Sequence, residues 1–159
     1  MLHDVKVQDY MSTPVVAVET TTSIRVAQQL MEDQHVRHLP VVKDLKLVGL
    51  LSSGDIRRAG PSIVSSLSIW EAARLWEEIT VEQVMSKHVT YVRPDSSVTQ
   101  AVQLMMAYHF NCLPVIDHED RPIGILTEED IFRLVIDRAK EELSASTLAT
   151  EHASSAVSA

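Results

Sequence analysis

The sequence predicts an α/β fold in which two β-α-β-β-α repeats pack around a pseudo-twofold axis, with helices flanking the sheets. The first observation is that the chain repeats itself: shifted by 74 residues, Val7–Val41 aligns with Val81–Val115 with 14 identities in 35 positions. The second is that each copy alternates strand-like and helix-like segments. A single copy would expose an apolar sheet face, so the two copies are expected to pack on each other.

Each repeat is predicted to contain the same elements in order. An entry strand ("PVVAV" or "HVTYV") precedes N-cap residues in "TTTS" and "RPDSS", which begin a helix. The apolar positions at helical spacing are Ile24, Ala27, Leu30 and Met31 in the first repeat and Val98, Ala101, Leu104 and Met105 in the second. The runs "HLPVV" and "CLPVI" are predicted second strands, and "LVGLL" and "IGIL" third strands.

Between the second and third strands the offset changes from 74 to 75, which pairs Gly49 with Gly124 and Asp55 with Asp130. The extra residue falls where polar residues separate two apolar runs. A hairpin turn is predicted there, because insertions in turns cost little.

The predicted boundaries are 5–59 for the first repeat, 60–78 for a linker with a short helix, and 79–140 for the second repeat. The linker begins with a break at "AGPS" and continues as an amphipathic helix with Trp70 and Trp76. These tryptophans either dock the linker onto the repeats or contact a partner, since aromatic residues are favoured at interface cores. Residues 144–159 have almost no bulky apolar side chains and are predicted to be a disordered tail.

The composition restricts the location and the partners of the protein. A net charge of −8 disfavours nucleic acid and anionic membranes, which need clustered Lys and Arg. No apolar run approaches the ~20 residues of a membrane helix, and the N-terminus lacks the pattern of a signal peptide. The single cysteine fits a reducing compartment, so we expect a cytoplasmic protein without a membrane partner.

Catalytic and metal-binding motifs are absent from the sequence. It has no Walker-type glycine loop, no G-x-S-x-G elbow and no H-E-x-x-H helix, so we expect no enzymatic activity. No four Cys and His residues lie at zinc spacing, so no metal is expected either. Cys112 directly precedes Leu113 and is predicted to be a packed thiol, with redox sensing as the alternative.

A Ser/Thr-x-x-Asp stretch follows the third strand of each repeat, as Ser52-x-x-Asp55 and Thr127-x-x-Asp130. Each hydroxyl is placed to cap a helix N-terminus, and the carboxylate three residues later completes a pair like a capping box. Capping explains either copy alone. A hydroxyl and a carboxylate at a helix start also suit the phosphate and the ribose hydroxyls of a nucleotide.

Two glycines precede these motifs, Gly49 and Gly124, and they are expected to let a flat ring approach the strand backbone. Just past the motifs, Arg57, Arg58 and Arg133 are expected to be solvated helix residues, with phosphate contact as the alternative.

The "M-S" at the entry, the Leu-Pro-Val run and the Gly…Ser/Thr-x-x-Asp run occur in this order in both repeats. Together they resemble a pair of cystathionine-β-synthase (CBS) domains, the Bateman module, over residues 5 to about 140. The resemblance implies a regulatory module that binds AMP, ADP, ATP or S-adenosylmethionine in clefts between the repeats and alters partner binding or oligomer state. It also implies a homodimer and an effector protein of unknown identity. The alternative is a structural dimerisation or protein-interaction module with vestigial clefts.

The resemblance further implies which residues line the two clefts. The first cleft is expected to contain Ser52, Asp55, Arg37, His38, Lys87, His88, Val89, Tyr91 and Phe110. The second is expected to contain Thr127, Asp130, Thr13, Val15, Val16, Ala17, Val36 and Asn111. Basic neighbours favour a phosphorylated ligand in the first cleft. Glu128 and Glu129 predict that the second is empty or holds a less negative ligand such as S-adenosylmethionine or adenosine.

Overall fold

The computed structural model describes residues 4–64 and 67–156, and side chains within 4–60 and 67–145. The elements are α1 (Val7–Tyr10), β1 (Val18–Glu19), α2 (Ile24–Asp33), β2 (His38–Lys43), β3 (Lys46–Ser52), α3 (Ser53–Val64), α4 (Ile69–Glu78), α5 (Val81–Val84), α6 (Val98–Tyr108), β4 (Cys112–Ile116), β5 (Pro122–Thr127) and α7 (Glu128–Ala156). One sheet has the order β1-β2-β3, with β1 parallel to β2 and β2 antiparallel to β3, and the other is the antiparallel pair β4-β5. The predicted α/β class is confirmed.

The first helix of each repeat follows the predicted pattern. The Ser23 and Ser97 side chains cap α2 and α6 by accepting hydrogen bonds from the backbone N–H groups of Val26 (3.3 Å) and Gln100 (3.1 Å). The buried residues are Ile24, Ala27 and Met31 in α2, and Val98, Ala101 and Met105 in α6. Because the serine ends the extended segment and apolar residues recur every three or four positions, each helix places one face on a sheet.

The hairpins explain the extra residue of the second repeat. The β2–β3 turn is tight, with Asp44 and Leu45 both at positive φ, as a two-residue type I′ turn requires. The β4–β5 turn is longer, and the Asp117 carboxylate accepts hydrogen bonds from the backbone N–H groups of Glu119 (2.8 Å) and Arg121 (3.0 Å). The predicted turn position is confirmed.

The entry segments differ from the predicted strands. β1 has two residues, and "HVTYV" contributes only one parallel bridge, between Val92 and Val115. The prediction of a full entry strand is therefore wrong, most clearly for the second repeat. The chain before these positions pairs with the opposite repeat: Ser12 bridges Ile125 of β5, and Ser86 bridges Leu50 of β3. The chain thus follows the other repeat until just before these positions, and only the last predicted residues, Val18 and Val92, join the sheet of their own repeat.

Two short helices, which the sequence analysis did not predict, complete this exchange. Helix α1 of the first repeat packs on α7 and β5, and α5 of the second packs on α2, α3 and β3. Val7 is fully buried in a cluster with Leu113 and Leu126, and Val81 in a cluster with Leu39 and Leu51. Each repeat therefore completes its core with apolar residues from the other.

Gly49 and Gly124 serve this exchange, so the expectation that they admit a flat ring is wrong. A Cβ atom on Gly49 would come closer than 3.0 Å to Sδ of Met85, and one on Gly124 would do the same at Met11. The methionine of the exchanged segment fills the space beside each strand. Any larger residue at these positions would displace it.

The linker is more regular than predicted. Helix α3 continues through Gly60 and Pro61 to Val64, so the expected break at "AGPS" is wrong. Helix α4 packs on α2 and α3, and Trp76 is half-buried against the first core. Since a Cβ on Gly60 would lie 2.8 Å from Cζ2 of Trp76, this glycine allows α4 to approach closely and stabilise α3 there. Trp70, in contrast, is 86% exposed.

The C-terminal segment is helical where the sequence predicted disorder. α7 runs for 29 residues to Ala156, so the prediction is wrong for 144–156, and 157–159 lie outside the described residues. The segment lacks Gly and Pro and is rich in Ala, which favours helix without requiring a core. In the part of the chain that the structure describes, no helix is both long and apolar enough to cross a membrane.

The two tryptophans of α4 provide a matched test of this packing. We expect Trp76→Ala to lower the free energy of unfolding by about 2–4 kcal/mol, because it removes a ring packed against Gly60 and the first core. Trp70→Ala should change it by less than about 0.5 kcal/mol, since that ring is exposed. Urea denaturation followed by circular dichroism measures both. Equal losses would contradict this account of the linker.

Candidate functional site

Ser52 and Thr127 cap the helices that follow them. The Ser52 hydroxyl accepts a hydrogen bond from the backbone N–H of Asp55 (3.1 Å), and the Asp55 carboxylate accepts one from the backbone N–H of Ser52 (2.8 Å). Thr127 and Asp130 repeat the pair at 3.4 and 2.8 Å. The predicted capping role is therefore confirmed for both motifs.

The two carboxylates differ in accessibility. Asp130 is 1% exposed, and its Oδ1 accepts hydrogen bonds from the Ser12 hydroxyl (3.3 Å) and from Arg133 (2.7 Å). The Asp55 side chain is 14% exposed and faces an open cavity, where its Oδ1 pairs with the exposed Arg58. Only Asp55 is therefore accessible to a ligand without rearrangement of the entry segment.

A cavity of about 390 Å³, here named the Asp55 cavity, lies between the repeats. Of the residues predicted for the first cleft, it is lined by Ser52, Asp55, Arg37 and His38. Its other lining residues are Leu50, Ser53, Gly54, Arg57, Arg58, Ser86 and Asn111. Ser86 was missed, although the identity of Ser12 and Ser86 in the internal alignment was a usable signal.

A second cavity, of about 460 Å³, adjoins the Asp55 cavity along β3 and is here named the Tyr91 cavity. It contains three more of the predicted residues, Lys87, Val89 and Tyr91, opposite Lys46, Leu47 and Val48. The consecutive residues Ser86 and Lys87 line one cavity each. Val48 and Ser52 are about 13 Å apart along the strand, because each strand residue advances about 3.3 Å. The two cavities therefore lie one after the other along β3, and they share no lining residue.

Two residues predicted for the first cleft lie elsewhere. His88 is exposed and borders neither of these cavities. The Phe110 ring stacks on Tyr108, with ring centroids 5.6 Å apart, and packs on the core of the second repeat. Phe110 borders an apolar cavity between α6 and α7, because it lies in the short connection between the end of α6 and the start of β4.

The second predicted cleft is a cavity of about 260 Å³, here named the Thr127 cavity. It is lined by three residues predicted for it, Thr127, Val36 and Asn111. The other predicted residues, which the structure does not bring to this cavity, are Asp130, Thr13, Val15, Val16 and Ala17. Thr13 donates a hydrogen bond to the Ile123 carbonyl (3.0 Å), and Ser12 lies in the cavity wall, because the entry segment bends onto β5 there.

The charge difference between the clefts is smaller than predicted. Arg37, His38 and Asn111 line both the Asp55 and the Thr127 cavities, and His35 also lines the latter. The remaining difference comes from the helix starts. Arg57 and Arg58 of α3 line the Asp55 cavity, whereas Glu128 and Glu129 of α7 line the Thr127 cavity.

Cys112 is a packed thiol, as predicted. The side chain is buried at the start of β4, and this burial, together with the charge of Glu128, raises the pKa of the thiol to about 12. It is therefore protonated and a poor nucleophile at neutral pH. Among the described residues, no three His, Cys, Asp or Glu side chains are grouped to hold a metal ion.

His38 provides a pH-dependent test of the site. Burial and the charge of Arg37 lower the pKa of His38 below its ordinary value of 6.5, against smaller opposing effects of Asn111, Asp55 and Glu128. As pH falls below that value, the unfolded chain takes up a proton that the folded protein resists. The free energy of unfolding should therefore decrease on acidification.

Urea unfolding from about pH 7.5 to about pH 5.5 measures this contribution, because histidine titrates in that range. His38→Gln should reduce the pH dependence relative to the wild type. His118→Gln, in the exposed β4–β5 turn, is the matched control and should leave it unchanged. If the free energy of unfolding of His38→Gln depended on pH as strongly as that of the wild type, the lowered pKa of His38 would be contradicted.

Comparisons with known proteins agree with this architecture. The family model of the CBS domain matches residues 7–62 and 81–137. A homoserine O-acetyltransferase from Methanohalobium evestigatum is 34% identical over 130 residues, which are 81% of this chain. They are 24% of that relative, so the chain spans about a quarter of its length.

Two solved structures have the same fold. The CBS domain pair of protein MJ0100, in complex with 5′-methylthioadenosine and S-adenosyl-L-methionine, has a TM-score of 0.70 at 30% identity and covers 84% of this chain and 97% of its own. CBSX2 from Arabidopsis thaliana, in complex with AMP, has a TM-score of 0.71 at 27% identity and covers 85% and 99%. With two matched repeats and the fold of a domain pair, the chain belongs to the CBS domain family.

Proposed function

We propose that this CBS pair is a regulatory module that binds an adenine nucleotide, AMP, ADP or ATP, in the cleft formed by the Asp55 and Tyr91 cavities. The main observation is that an accessible carboxylate and several cations line the Asp55 cavity, while a larger cavity with an aromatic side chain lies further along the same strand. The ligands of two similar proteins, AMP in CBSX2 and adenosyl compounds in MJ0100, support the same class.

Each part of the cleft suits one part of the nucleotide. Asp55 accepts hydrogen bonds from the ribose hydroxyls, and Arg58, whose side chain is 74% exposed, is placed to turn from Asp55 towards phosphate. Arg37 and Arg57 supply further charge-assisted donors. The adenine ring occupies the Tyr91 cavity, between Val48 and Val89. The Thr127 cavity, with two glutamates, suits an adenosyl ligand of lower negative charge, such as S-adenosylmethionine or adenosine.

The regulatory effect follows from the position of the cleft. One wall is β3 of the first repeat and the other is residues 86–91 of the second, which bridge at Leu50 and Ser86. A ligand that contacts both walls stabilises the arrangement in which both are in place. The signal then passes to an effector protein or to the oligomer state. We also infer a cytoplasmic location, because a single cysteine leaves no disulfide framework within the chain.

The nucleotide site is tested by titrating AMP against matched carboxylate variants. Asp55→Asn should raise the Kd for AMP about tenfold or more, because it weakens charge-assisted hydrogen bonds to the ribose. Asp130→Asn is the control and should change that Kd by less than about threefold, since Asp130 is buried beneath Ser12. Isothermal calorimetry measures both, and circular dichroism checks folding. An unchanged Kd in Asp55→Asn would contradict the assignment.

We further propose that two chains associate through the helix face of the second repeat. An apolar cavity lies there between α6 and α7, lined in part by the exposed Met106 (73%) and Phe132 (64%), and α7 continues with the exposed Val135 (57%) and Ile136 (53%). In the first repeat the corresponding face of α2 and α3 is covered by α4. A contiguous apolar patch of this kind is typical of an association surface.

Analytical ultracentrifugation tests the homodimer. The wild type should sediment as a dimer, and Phe132→Glu or Ile136→Glu should shift it towards monomer by placing charge in the interface. Val26→Glu, on an exposed position of α2 in the first repeat, is the matched control and should leave the dimer intact. A monomeric wild type, or equal loss in Val26→Glu, would contradict this surface.

A further inference from the structure

Arg37 and His38 line both the Asp55 and the Thr127 cavities, although they belong to the first repeat alone. In the second repeat the corresponding residues are Asn111 and Cys112, neither of which is cationic. The boundary between the cavities therefore has the cations of one repeat only. The pseudo-twofold symmetry of the fold is broken at the place where both clefts meet.

The backbone fixes these residues at the boundary. The Arg37 carbonyl accepts a hydrogen bond from the backbone N–H of Ser53 (2.9 Å), at the start of α3. The Asn111 carbonyl accepts the equivalent bond from Glu128 (3.1 Å), at the start of α7. His38 and Asn111 both line the two cavities, so residues of both repeats meet there. Arg37 is exposed to both cavities and remains available to either.

The two cavities depend unequally on Arg37. The Asp55 cavity has two further arginines, Arg57 and Arg58. The Thr127 cavity contains two glutamates, and its basic groups are Arg37 and two histidines. A phosphate in the Thr127 cavity would therefore rely mainly on the guanidinium of Arg37. One guanidinium forms a bidentate pair with one phosphate at a time.

We infer that the two clefts are coupled antagonistically for phosphorylated ligands, through Arg37. A nucleotide in the Asp55 cleft recruits that guanidinium and withdraws it from the Thr127 cavity, so a second phosphate binds there at least about tenfold more weakly. An adenosyl ligand without phosphate needs no such cation and is unaffected. The module therefore holds one phosphorylated and one unphosphorylated ligand together. This inference rests on the proposed nucleotide site.

The test measures AMP binding at the Thr127 cavity with the Asp55 cleft open or blocked. Val89→Trp blocks the cleft by filling the Tyr91 cavity, and the methyl resonance of Thr127 reports occupancy of the other cavity. Blocking should strengthen AMP binding there about tenfold or more. With adenosine as the probe, blocking should change the affinity by less than about twofold, because no phosphate competes for Arg37.

Two further variants separate Arg37 from general electrostatics. In an Arg37→Gln background, blocking should no longer change AMP affinity at the Thr127 cavity. Arg57→Gln is the matched control, since Arg57 lines the Asp55 cavity alone: AMP should bind that cleft more weakly, with the coupling retained.

Failure of the inference and failure of the proposed function are distinguishable. Equal AMP affinity at the Thr127 cavity with and without the block, or no AMP binding there even with the block, overturns the coupling alone. Coupling that persists in Arg37→Gln, or that is equally strong for adenosine, also overturns it. If AMP binds neither cleft, the proposed nucleotide site fails first and the coupling fails with it.

Discussion

Val7 and Val81 are fully buried, and each lies in the core of the repeat to which it does not belong by sequence. Full burial of a valine side chain contributes about 1.5–3 kcal/mol, and a methionine beside a glycine adds further contacts in each case. Each repeat thus lacks part of its core without the other. This reciprocal burial fixes the position of one repeat on the other, and the cavities lined by both repeats depend on it.

The same exchange builds the ligand clefts. The residues that follow α5 run along β3 of the first repeat, so the Asp55 and Tyr91 cavities have walls from both repeats. The residues that follow α1 run along β5 in the same way, but there the Ser12 hydroxyl bonds to Asp130 and covers it. Because one pairing leaves a carboxylate accessible and the other buries it, two clefts of common design differ in the polar groups that they expose.

Local features were predictable from the sequence, since they depend on residues a few positions apart. They include the repeated elements, the capped helices, the hairpin turns and the cap at each Ser/Thr-x-x-Asp stretch. The exchange was not predictable, because periodicity does not reveal which sheet a segment joins when its partner, such as Ile125 for Ser12, is more than a hundred residues away. That is why Gly49 was assigned to a ligand instead of Met85. The prediction of a disordered C-terminal segment failed because a lack of apolar residues indicates that a segment packs poorly, and not that its helix propensity is low.

Comparison of the two repeats distinguishes residues that serve folding from residues that line the cavities. The paired histidines His35 and His109 both have positive φ beyond a helix end, a conformation in which histidine is enriched among residues other than glycine, so their identity has a backbone explanation. The shared entry methionines and strand glycines serve the exchanged cores. The differences lie instead where the cavities meet: arginine opposite asparagine, and a half-buried histidine opposite a buried thiol. Identical positions build the symmetric frame, and the unmatched cations where the cavities meet give the two clefts different charged linings.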